Sequence, residues 1–173
     1  EEVPALHLEL ERRRDEVVNG HDPRREGVHV DPPTEQRLEL LWSAGATLAM
    51  LALERAGLLQ ALLIKMALDS GDPRWVVRSL ALYGGMCATT DTLDRSRDVA
   101  ARCGELAQGV DDAHARGMAH CVDTMYQLHA GHWERARELL DGSQQLFREG
   151  TPGVSWELAT GELHRALLEW VVG

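Results

Sequence analysis

Helix-start signals recur along this chain at a nearly fixed interval. Asp31-Pro32-Pro33, Gly71-Asp72-Pro73, Asp111-Asp112 and Gly150-Thr151-Pro152 each set a short capping side chain before an apolar-periodic run, three of them with proline adjacent. From Asp31 to Asp72 is 41 residues, from Asp72 to Asp111 is 39, and from Asp111 to Thr151 is 40. A period of this size marks a stacked repeat, in which one short unit buries its apolar face only against its neighbours.

The apolar pattern inside each period predicts a helical hairpin. The first helices read Leu38, Leu41, Trp42, Gly45, Leu48 and Ala49; Val77, Leu80, Ala81, Gly84 and Ala88; Met118, Cys121, Val122, Met125 and Leu128; and Trp156, Ala159, Thr160, Leu163 and Leu167. This is the i, i+3, i+4, i+7 spacing of an amphipathic helix. Second helices follow in the first three periods, at Leu59, Leu62, Leu63 and Met66; at Ser96, Val99, Ala100, Cys103 and Leu106; and at Ala136, Leu139, Leu140, Ser143 and Phe147. The expected fold is therefore all-α, a helical-hairpin solenoid of about eight helices. A flanking helix spans 1–19 and ends at Gly20, a linker spans 20–33, hairpins cover 34–70, 73–108 and 112–149, and a terminal helix covers 152–172. One continuous core is expected from the three stacked hairpins and the two flanking helices, with Gly45 and Gly84 as close-approach positions. The competing architecture, a four-helix bundle with extra helices, has no reason to keep such a period.

Composition narrows the function. Hydrophobic residues make up 44% of the 173, with abundant Ala and Leu and few β-branched residues, which favours helix over strand. A net charge of −10 works against a nucleic-acid partner. The run Arg12-Arg13-Arg14 is flanked by Glu9, Glu11, Asp15 and Glu16 and reads as a solvated helix face. Leu58 to Leu68 is interrupted by Gln60 and Lys65 and is too short for a membrane span, and no signal-peptide pattern is present. Cys87, Cys103 and Cys121 are odd in number and far apart, as expected of buried thiols in a cytoplasmic protein. Glu1 at the start suggests a chain taken from inside a longer protein.

Catalytic signatures are missing where they would be sought. Lys65, in Leu63-Ile64-Lys65-Met66, has no glycine-rich loop before it and no His-Arg-Asp or Asp-Phe-Gly after it, and a phosphate-binding loop would need a lysine following a glycine run. His114, His120, His129, His132 and Cys121 lack the matched second pair of a zinc site. Ser43, Ser79 and Ser155 have no nucleophile elbow, and Glu1-Glu2 and Asp111-Asp112 suit helix starts. The expectation is a non-catalytic chain that needs no metal or cofactor.

Ala130-Gly131-His132-Trp133-Glu134-Arg135-Ala136-Arg137-Glu138-Leu139-Leu140 resembles the turn and second helix of a tetratricopeptide repeat. Leu41-Trp42-Ser43-Ala44-Gly45-Ala46-Thr47-Leu48, the stretch from Ala61 to Pro73, and the stretch from Thr151 to Thr160 resemble the C-terminal helical region of large multidomain bacterial serine/threonine protein kinases. Those proteins join a kinase domain, an ATPase domain and a tetratricopeptide-like tail. The resemblance implies such a parent and a regulatory scaffold role, and it carries no functional residue with it. Seventeen of the eighteen basic residues are Arg, the usage expected of a GC-rich bacterial genome.

What remains is surface. In a hairpin solenoid the first helices line the concave side, which makes Gln36, Glu39 and Ser43; Trp75, Arg78 and Leu82; Arg116, Asp123, Tyr126 and Gln127; and Glu157, His164 and Arg165 candidate docking residues for a protein or peptide. The alternative function is an architectural spacer or homodimerisation module, with Leu168, Trp170 and Val172 as candidates for self-association. A third possibility is an independent enzyme or small-molecule sensor built on a pocket between helices.

Overall fold

The computed structural model describes residues 11–24, 28–49, 51–90, 92–150 and 153–172. Among these the chain is all-helical, with no strand. The helices are α1 (11–18), α2 (Pro32–Ala49), α3 (Leu53–Ser70), α4 (Pro73–Ala88), α5 (Leu93–Ala107), α6 (Ala113–His129), α7 (Trp133–Gly150) and α8 (Ser155–Val172). The expected start of the flanking helix and the Thr151-Pro152 signal lie outside the described residues.

The caps act as their chemistry dictates. Asp31 Oδ1 accepts the Thr34 amide at 2.8 Å, Asp72 Oδ1 the Arg74 amide at 2.9 Å, and Asp112 Oδ1 the Ala115 amide at 2.7 Å. The α3–α4 junction packs a stop and a start into four residues. Gly71 takes φ 69°, a left-handed conformation, and its amide reaches Ala67 O, while Ser70 Oγ donates to the same carbonyl and accepts the Asp72 amide. Asp72 then caps α4 from a fully buried position, with Arg74 Nη2 2.7 Å away.

The chain forms two compact units, Glu1–Ser79 and Leu80–Gly173. The boundary falls inside α4. In the first unit Arg13 of α1 pairs with Asp69 of α3 at 2.6 Å, Val17 is buried, and α1, residues 21–24 and Leu68 border one cleft of about 250 Å³. Burial raises the Asp69 carboxyl, but hydrogen bonds and charge from Lys65 and Arg13 outweigh it and hold Asp69 below the ordinary value.

Within the first unit α2 meets both α3 and α4. Buried Leu38, Trp42 and Ala46 form its inner stripe, Arg74 reaches Glu35, and Arg78 reaches Glu39 at 3.4 Å. The second unit interlocks at residues without side chains. A Cβ on Gly84 would lie 2.5 Å from Val122 Cγ2 and 2.8 Å from Val99 Cγ1, and one on Gly117 would lie 2.5 Å from Phe147. One on Gly161 would overlap Gln144. Gly84 is therefore the close-approach position expected of it. Gly45 is not, since its Cβ would meet only Leu59 Cβ at 3.8 Å, an ordinary contact.

Candidate partner-binding surface

Gln36, Glu39 and Ser43 stand at i, i+3 and i+7 on the exposed face of α2. Their expected neighbours on α4 do not join them. Trp75 is 0% exposed and Arg78 is 7% exposed, so neither presents itself to a partner. The Arg78 guanidinium lies 3.9 Å from the Trp75 ring centroid and 4.8 Å from that of Trp42, with Glu39 as its counter-ion. The repeat pattern predicts one buried stripe on α4. Instead residues 75–81 are buried without a break, because the helix is enclosed on nearly all sides. Leu82 is half-buried.

On α8 the expected register is rotated. Its inner stripe is Glu157, Gly161, His164 and Leu168, while Leu163, Leu167 and Trp170 face outward. Two polar and steric features outweigh the apolar pattern. Gly161 admits Gln144 of α7, and Glu157 Oε1 meets His114 Nε2 of α6 at 2.8 Å, with the Phe147 ring edge-on to His114. A buried carboxylate needs such a partner, and this one fixes which face of α8 turns inward. Glu157 and His164 are therefore core residues rather than docking residues, and Leu168, 1% exposed, is unavailable for self-association. Trp170 and Val172 are exposed. Arg165 is tied to Asp141 at 2.8 Å.

The remaining candidates come together on α6. Arg116, His120, Asp123 and Gln127 follow one another at i, i+4, i+7 and i+11 along one face, with Tyr126 beside them and half-buried. Gln127 Nε2 donates to Asp123 Oδ1 at 2.9 Å, and Gln127 Oε1 lies 2.8 Å from His132 Nδ1. The N-terminal half of this face opens on a cleft of about 600 Å³, walled by α5, the 108–111 loop and α7 and lined among others by Gln108, Asp111, Arg116, His120 and Leu146. Arg116 is exposed at this cleft and forms no ion pair with a described residue. His120 fits because Gly142 lacks a side chain, its Nδ1 lying 3.0 Å from where that Cβ would stand. Burial lowers the His120 pKa and Arg135 lowers it further against the pull of Asp123, which favours a neutral imidazole. The sequence sets His120 apart from the Cys121 and Met125 stripe but does not place it among the docking candidates, although its i+4 spacing from Arg116 was the available signal.

The cleft's described lining includes no Ser, Thr, Cys or Lys. Burial pushes the thiols of Cys103 and Cys121 up to about 12, and all three cysteines are buried and free. Among the described residues no cluster of His, Cys, Asp and Glu has the arrangement to hold a metal ion, and no helix is long and apolar enough to cross a membrane. Comparisons with models of protein families, with curated proteins and with solved structures find no match.

Proposed function

We propose that this chain is a non-catalytic protein-interaction module that holds an acidic peptide segment along α6, with a partner carboxylate at Arg116. The observation that carries the reading is an exposed arginine without an ion-pair partner among the described residues, at the mouth of a cleft in a chain of net charge −10. Elsewhere Arg74, Arg78, Arg97, Arg102 and Arg165 each have a carboxylate within 3.4 Å, whereas the exposed Arg37, Arg55 and Arg137 share with Arg116 the lack of an ion pair among the described residues. An unpaired guanidinium keeps its fork of donors available for an incoming carboxylate. Asp123, Gln127 and Tyr126 continue the surface with acceptors, donors and an aromatic ring, the mixture found in peptide grooves. The tetratricopeptide-like solenoid and the kinase parent belong to the same proposal, supported by the hairpin spacing and the sequence resemblance. In such a parent the module would act as a regulatory scaffold.

Selection of a displayed peptide library on the purified chain tests this. Acidic peptides should be enriched, and Arg116→Glu should weaken them by about tenfold or more, in keeping with loss of a charge-assisted bond. Melting should be unchanged, since Arg116 is exposed. Enrichment of peptides that bind Arg116→Glu equally well, or no enrichment at all, would count against the reading.

A further inference from the structure

We propose that the cleft beside Arg116 is a specificity pocket for the partner segment, taking a large apolar side chain, Leu or Phe, two residues from the carboxylate that Arg116 holds. The inference rests on the peptide reading of α6 and says which acidic segments that surface selects. Its starting point is a glycine. In the helices of Leu80–Gly173, Gly84, Gly85, Gly117, Gly142, Gly150 and Gly161 each have a neighbour that a Cβ would meet at 3.0 Å or less. Gly104 has none. It lies inside α5, its φ is not positive, and among the described residues a Cβ there would meet nothing within 4 Å. Glycine weakens a helix interior relative to alanine, so neither packing nor backbone conformation within the chain accounts for it. Gly104 does stand on the wall of the 600 Å³ cleft. A wall without a side chain lets an incoming group lie directly against the helix backbone.

The cleft is apolar inside and charged at its edge. Ala107, Val110 and Ala119 are buried in its lining and Leu146 is half-buried there, while Arg116 and Asp111 are exposed. Among the described lining residues Arg116 is the only cation, because burial favours the neutral form of His120. One carboxylate is therefore matched at the edge. A second one inside would be desolvated near Asp111 without a partner, so the group that fills the interior is apolar. The volume lies within the range of roughly 300–1,000 Å³ typical of pockets that enclose whole ligand groups, which favours a large side chain over a small one.

The spacing of the two contacts follows from helix and strand geometry. Ala119 and His120 lie about 4.5 and 6 Å beyond Arg116 along α6. In an extended segment side chains alternate between faces, and residues two apart present theirs on one face about 6.6 Å apart. A carboxylate over Arg116 and an apolar side chain entering beside Ala119 and Gly104 thus belong to partner residues two apart.

Fluorescence polarisation with labelled synthetic peptides tests this on the whole chain. The peptides carry Glu or Gln at one position and Phe, Leu or Ala two residues away, in both orders. In at least one order Glu peptides with Phe or Leu should bind roughly ten- to a hundredfold more tightly than those with Ala, and the Gln peptides should be weaker throughout. Gly104→Leu fills the cleft from its bare wall and should erase the preference for Phe over Ala. Its melting should match or exceed that of the wild type, because the new Cβ has room and Leu is the better helix former. Arg116-dependent binding that is indifferent to Phe, Leu and Ala would overturn the pocket and leave the peptide reading standing, as would a Phe preference that persists in a folded Gly104→Leu chain. Failure of every Glu peptide to bind would overturn both. Free phenylpropionate bound as tightly as the Glu and Phe peptides would overturn the pocket differently, by making the cleft a small-molecule site.

Discussion

A glycine within a helix has two opposite meanings here, and the two recurring glycines of the first helices separate them. Gly84 is required by Val99 and Val122, whereas Gly45 has ordinary space around it. Gly84→Ala should therefore destabilise the chain by about 1–3 kcal/mol through overpacking. Gly45→Ala should be neutral or stabilising by up to about 1 kcal/mol through helix propensity. Chemical denaturation of the two variants checks this, and equal effects would remove the steric account of Gly84. Sequence alone gave both glycines the same role, because spacing shows where helices cross and not how close they come. Trp75 was misplaced for a related reason. An aromatic beside an arginine suits a docking surface and a buried cation–π stack equally well, and only the position of Trp42 across the helix pair decides between them.

At the scale of elements, the all-helical class and the starts of α2, α4 and α6 were legible from Asp31, Asp72 and Asp112, since a cap is a local bond between a side chain and an amide two or three residues on. The rotation of α8 was not. Its apolar residues occupy two faces, so periodicity left the choice to His114 and Gln144, which lie far away in sequence. The seating of α8 has a consequence for pH. His164 is buried on its inner stripe, and burial, followed by the charge of His129, lowers its pKa below the ordinary 6.5. The unfolded chain then binds the proton more readily than the folded one. The stabilising contribution is complete above pH 6.5 and is lost as pH falls below that value through the folded pKa. His120 acts in the same direction. His164→Gln should flatten the fall in Tm with acidification, and identical slopes for variant and wild type would show that His164 does not carry it.

For the whole molecule, the three thiols serve as internal probes of integrity. Cys87, Cys103 and Cys121 are buried, and burial raises the last two to about 12. An aromatic disulfide reagent should find no rapidly reacting thiol in the native chain and three after denaturation, and fast labelling of Cys103 or Cys121 in the folded state would contradict their burial. Cys87, Cys103 and Cys121 all belong to Leu80–Gly173, so thiol labelling reports on the second unit alone. The tryptophans divide differently. Trp42 and Trp75 are buried in the first unit, whereas in the second Trp133 and Trp170 are 41% and 83% exposed and Trp156 is half-buried. Indoles shielded from water emit at shorter wavelength than hydrated ones, so the blue part of the emission spectrum belongs mainly to Glu1–Ser79 and the red part mainly to Leu80–Gly173. Light alone, with no label attached, distinguishes the melting of one half of the chain from that of the other.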